Sequence, residues 1–228
     1  MSRGRRAAAL ACAVVVSLSF NVTGAPPTQA HSASTWFGGH WFEGAINFAI
    51  TPSYPANSPY PFRDMLKRGR DSWPYDGGRA RPNTGFSGTQ LNWSPEPVCD
   101  YGLGANGIHY YPIDGPDRVK ARTRVCVIQA SRRIWNAQVV FDSGETWWPY
   151  AETPQSTHYD VWGVAAHELG HAWGGWLDPP QSAGHFGSTA DCINPPTQTM
   201  CPDITRGFDG FRSTELHDRH TIAAEYPG

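Results

Sequence analysis

The sequence predicts an α+β domain. Strand-like runs bounded by turn residues occur at 46–50, 107–113, 124–130 and 134–142. Two other stretches, 62–73 and the region from about 158 to 174, carry apolar residues at helical spacing. The roughly 198 residues after position 30 suit one compact core better than two.

The N-terminal segment reads as an export signal. Arg3, Arg5 and Arg6 precede an apolar run over 7–20, and a small-residue region ends at Ala30. The run is too short to span a bilayer and has no stop-transfer pattern behind it. Residues 1–30 are therefore expected to be a signal peptide, and 31–228 a single domain that is secreted and extracellular. Cys12 does not suggest a lipid anchor, because Leu10 stands in the wrong position for one. Removing three arginines and no acids moves the formal charge from −2 to −5, since 15 bases then face 20 acids. A mildly acidic chain without basic runs predicts no nucleic-acid partner. No later stretch is apolar enough for a membrane, and a monomer is expected.

Along the chain, the strand at 46–50 is stopped by Thr51, Pro52 and Ser53. After a Pro-rich stretch, Phe62, Met65, Leu66 and Trp73 repeat at helical spacing until Pro74. The strand at 134–142 closes at the turn Asp142-Ser143-Gly144. Asp142 and Glu145 offer oxygens to a calcium ion, but ordinary turn roles fit them better without a denser acidic cluster. Thr157 to Asp160 reads as a loose capping box, starting a helix of about 16 residues near 158. Val161, Val164, Ala165 and Leu169 give that helix a core stripe, and Gly174-Gly175 ends it.

Cysteines and aromatics have mainly structural readings. Cys99, Cys126, Cys192 and Cys201 remain after export, which predicts two disulfides. Three pairings are possible; Cys192–Cys201 closes a short loop and leaves Cys99–Cys126. Trp147-Trp148 and the cluster Trp36, Phe37, Trp41 and Phe42 have the composition of a sugar-stacking platform, yet packing is the expected role.

The chemistry is concentrated in His167-Glu168-Leu169-Gly170-His171, an H-E-x-x-H run. On a helix, residues four apart share one face a turn apart, so both imidazoles can converge on one tetrahedral Zn²⁺ ion. Glu168, beside the first ligand, is placed to act as general base. A catalytic zinc takes a third protein ligand and keeps one position open. His185 supplies a nitrogen after a glycine; Asp178 is the oxygen alternative.

The stretch resembles the metzincin clan of zinc peptidases, whose pattern is H-E-x-x-H-x-x-G-x-x-H. His167, Glu168, His171 and Gly174 match, while Leu177 stands where the clan's third histidine belongs. Residues 176–183 then read as an insertion that postpones the ligand to His185. Thr199-Met200-Cys201-Pro202 resembles the clan's Met-turn, in which Met200 would form an apolar floor beneath the metal. The tail from Leu216 to Tyr226 resembles the C-terminal helix of matrixin-like members, which gives His217 and His220 structural roles. A cysteine switch is not expected, since Cys99 lacks that motif's flanks.

The resemblance implies a zincin/metzincin-like catalytic domain: a mixed twisted sheet, an active-site helix and a C-terminal helix. It implies a zinc metalloendopeptidase acting on protein or peptide substrates, with Glu168 catalytic and His167, His171 and His185 holding Zn²⁺. The rival from another class is a secreted binding or cell-surface protein on a degenerate zincin scaffold. A third reading keeps the zinc but hydrolyses a non-peptide amide or ester.

Overall fold

The computed structural model describes residues 41, 45–50, 59–73, 83–87, 105–128, 131, 133–173, 199–200 and 204–214. They form an α+β arrangement of two helices and a mixed sheet. The signal segment, Trp36, Phe37, Phe42, Cys99, Cys192, Cys201 and the 216–226 tail lie outside the described residues.

The main sheet contains β1 (Ala45–Ile50), β2 (Asn83–Ser87), β3 (Asn106–Tyr111), β4 (Ala121–Ile128) and β5 (Arg133–Asp142). Their order is β2-β1-β3-β5-β4. β1 runs parallel to β2 and β3, and β3 parallel to β5, while β4 pairs antiparallel with β5. Four strands thus lie near their expected places, shifted by a residue or a few at their ends. β2 was not expected: Asn83-Thr84-Gly85-Phe86-Ser87 is short, largely polar and interrupted by glycine. Its pairing with β1 makes it a strand; local propensity does not.

Strand alternation gives the sheet two different faces. One presents Ile46, Phe48, Ile108, Val139 and Phe141 to the apolar core. The other places Cys126, Asn136, Gln138 and His109 together, all buried. Cys126 is disulfide-bonded, and its partner lies outside the described residues.

Helix α1 (Pro59–Asp71) starts at a proline, whose fixed φ and missing N–H suit a first helical position. It buries Phe62, Met65 and Leu66 in the core, each worth about 1.5–3 kcal/mol relative to exposure. Phe62 meets Phe141 edge to face at 5.2 Å, binding helix to sheet. Gly69 allows the second helix to approach closely: a Cβ there would stand 2.6 Å from the Ala165 Cβ and 2.8 Å from the Ala166 backbone nitrogen.

Two short strands, β6 (Trp147–Trp148) and β7 (Tyr159–Asp160), pair in parallel just before α2 (Val161–Ala172). Here the expected helix start is corrected. Thr157 does not cap the helix; its hydroxyl meets His158 Nδ1 at 2.9 Å. Asp160 is the N-cap and accepts from the Gly163 N–H at 2.9 Å. Pairing of Tyr159 with Trp147 keeps residues 159–160 extended, so the next available oxygen takes the cap. The helix is accordingly 12 residues long, and Gly174-Gly175 lie outside the described residues.

The tryptophan pair divides between two jobs. Trp147 packs edge to face on Phe141 at 5.2 Å and donates to the Asp142 carbonyl at 2.7 Å. Trp148 instead contacts Tyr150 and His158 near the surface. Trp41 is buried in the core and donates to the Ala172 carbonyl at 2.9 Å.

Candidate metal centre

Helix α2 is buried on nearly every side, with Trp162 the exception among its residues. A helix so enclosed cannot leave ionisable groups uncompensated, because burying an unpaired charge costs several kcal/mol. Its N-terminus shows how one such group is matched. Asp160 is 2% exposed, and burial pushes its carboxyl above the usual range. The Arg212 guanidinium works against that shift, meeting both carboxylate oxygens at 2.8 Å. The same side chain donates to the carbonyls of Tyr150, Ala151 and Glu152. Arg212 sits at the end of a short 3-10 helix, Gly210–Arg212. One cation therefore joins the helix start, the loop before it and the C-terminal segment.

About two to three turns further on, His167, Glu168 and His171 are all buried. The imidazoles of His167 and His171 stand nearly perpendicular, with their Nε2 atoms 2.9 Å apart. His167 Nδ1 faces the Thr199 carbonyl oxygen at 2.8 Å. A carbonyl has no proton to give, so Nδ1 carries one, and the neutral ring keeps its lone pair on Nε2. His171 Nε2 then donates the proton between the rings. Exchanging that proton for a cation would aim two lone pairs at one point.

This geometry fits zinc with slight adjustment. Bonds of about 2.05 Å at a tetrahedral angle would set the two nitrogens roughly 3.3 Å apart. The pair would open by a few tenths of an ångström. The Thr199 carbonyl supplies the outer hydrogen bond that commonly fixes a metal-ligating imidazole's tautomer.

Glu168 lies between the two histidines in sequence and turns toward β4. Its Oε2 accepts from the Thr123 hydroxyl at 2.6 Å. Burial raises its pKa to about 7, and the Thr123 hydrogen bond opposes the rise. A carboxylate near that value can both take and return a proton at neutral pH.

The helix rests on a packed floor. Met200, 1% exposed and in a turn, lies against Gly170, where a Cβ would collide with its sulfur and stand 2.7 Å from Trp73 Cζ2. Glycine between the two histidines is thus a requirement of close approach. Trp73 also donates its indole N–H to the Ala166 carbonyl at 2.9 Å and meets Trp173 edge to face at 5.8 Å.

The structure thus brings His167, Glu168, His171 and Met200 into one region. His185 and Asp178 lie outside the described residues. Among the described residues, no third ligating side chain completes a metal-binding group. Asp142 is occupied as a loop anchor, accepting the N–H groups of Ile113, Asp114 and Gly144. Glu145 is buried, with Arg206 Nη2 at 3.5 Å from its Oε2, and burial raises its pKa.

The chain matches no protein-family model and no curated protein. Several supporting residues also had no sequence signal. Thr123 depends on the register of β4 against β5, and Thr199 acts through a main-chain oxygen that any residue carries.

Proposed function

We propose that this protein is a secreted, zinc-dependent endopeptidase on a zincin/metzincin-like scaffold. The observation that carries the reading is the His167–His171 pair, with Nε2 atoms 2.9 Å apart and one tautomer set by the Thr199 carbonyl. Support for the scaffold comes from the mixed sheet, the buried helix bearing the motif and Met200 packed beneath Gly170.

His167 and His171 would hold Zn²⁺, with His185 as third ligand and Asp178 as its alternative. Zinc, when bound, supplies a Lewis acid that polarises the scissile carbonyl and makes water acidic near neutral pH. Glu168 takes the proton from the attacking water and delivers it to the departing amine. The enclosed helix keeps its imidazoles in place, so little geometry has to be found during the reaction.

The test is metal content together with cleavage of an unfolded protein substrate, with and without a chelator. The wild type should carry one zinc per chain and lose cleavage on chelation. Glu168→Ala should keep its zinc and lose at least about 10²-fold in cleavage. A Glu168→Ala variant as active as wild type would remove Glu168 from the mechanism. A zinc-free wild type that cleaves nothing would favour the binding-protein reading.

A further inference from the structure

Thr123 stands on β4, at the edge of the sheet among the described residues, and faces α2. Its neighbours on that face, Ala121 and Val125, pack against the apolar core. A hydroxyl among them needs a partner, because burying one unpaired is unfavourable. The Thr123 Oγ1 lies 2.6 Å from Glu168 Oε2 and 3.0 Å from the Glu168 backbone oxygen. A threonine hydroxyl has one proton to give, so these acceptors compete, and the carboxylate holds the shorter contact.

We infer that Thr123 is a positioning residue for Glu168. Its hydroxyl holds Oε2 against β4 and selects one conformer of a flexible side chain. The other oxygen, Oε1, is left as the atom that takes the proton. Thr123 touches neither substrate nor metal in this role; it acts through Glu168 alone. The inference rests on the proposed function, because it assigns Glu168 a reaction in which orientation matters.

Two substitutions separate orientation from packing. Thr123→Val keeps the shape and removes the hydroxyl, whereas Thr123→Ser keeps the hydroxyl and removes the methyl. With zinc content and KM unchanged, kcat should fall about tenfold in the valine variant, or about 1.4 kcal/mol of barrier. Serine should restore most of it. Unchanged kcat in Thr123→Val, or equal loss in both variants, would overturn the inference.

A second readout does not depend on activity. Urea unfolding of Thr123→Val, Glu168→Ala and the double variant forms a cycle that reports the contact itself. The two losses of stability should fail to add. Additive losses would refute the contact whether or not the protein is a peptidase. A non-additive cycle in a wild type that cleaves nothing would leave the contact standing, and would remove both the peptidase reading and the orienting role.

Discussion

Two buried histidine settings on opposite faces of the sheet show how a ring's partner decides what it can do. On one face, His109 Nε2 meets Gln138 Oε1 at 2.6 Å. The Gln138 amide nitrogen is committed to the Ala105 carbonyl and to Asn136 Oδ1, which identifies Oε1 as the acceptor. His109 Nε2 therefore carries a proton and has no lone pair for a cation. On the other face, a carbonyl accepts the hydrogen bond of the protonated His167 Nδ1 and leaves Nε2 facing His171. In both places one acceptor fixes the tautomer. In the first it consumes Nε2; in the second it spares it.

The largest effect should come from removing one side of the converging pair. His171→Ala is expected to abolish stoichiometric zinc after dialysis, and cleavage with it. His109→Gln should retain zinc while lowering stability. Zinc loss in both variants, measured by elemental analysis, would erase the distinction between the two faces.

Asp160→Ala comes next. Asp160 and Arg212 have side chains 2% and 12% exposed, so the substitution strands a largely buried guanidinium and removes a cap. The expected cost is about 3–5 kcal/mol in urea unfolding. Asp160→Asn keeps a capping oxygen without the charge and should fall between that variant and wild type. A loss below about 1 kcal/mol for alanine would indicate that Arg212 is adequately solvated without its partner.

Gly170→Ala tests the floor under the pair. The added methyl must displace Met200 or Trp73, which should cost about 1–3 kcal/mol. Calorimetry should also show weaker zinc binding, because the histidines flank this glycine along the helix. Unchanged affinity would separate the floor from the pair.

The smallest effect is a pH dependence from the other face. Burial lowers the His109 pKa from its ordinary 6.5. As pH falls, the unfolded chain takes up this proton first. The contribution is therefore fully present above 6.5 and is lost as pH drops from there through the folded-state value. His109→Gln should flatten that part of the stability profile, read as urea midpoints between pH 7 and 5. An identical slope in wild type and variant would show that His109 does not set it.

How much of this was legible in the sequence depended on how far apart the interacting groups lie. The helix carrying His167 and His171 was visible because its signal is local: two histidines four apart on an apolar stripe. The strands at 46–50 and 134–142 were readable for the same reason. The N-cap was misplaced because Thr157 and Asp160 are both good caps, and strand pairing at Tyr159 chose between them. β2 was missed because its identity comes from β1. Gly170 is a free position in the motif, and its constraint comes from Met200 and Trp73, which are distant in sequence. Thr123 had no signature, since its partner lies 45 residues away.

Those separations bear on the order in which the protein becomes complete. The acceptor that fixes the His167 tautomer is 32 residues further along the chain. The guanidinium that neutralises Asp160 is 52 residues beyond it. A nascent chain emerging from its N-terminus thus contains the whole H-E-x-x-H run before either support has been synthesised. Its helix would begin at an uncompensated carboxylate, and neither ring would yet be held by Thr199. Assembly of the centre waits for the last part of the chain to arrive.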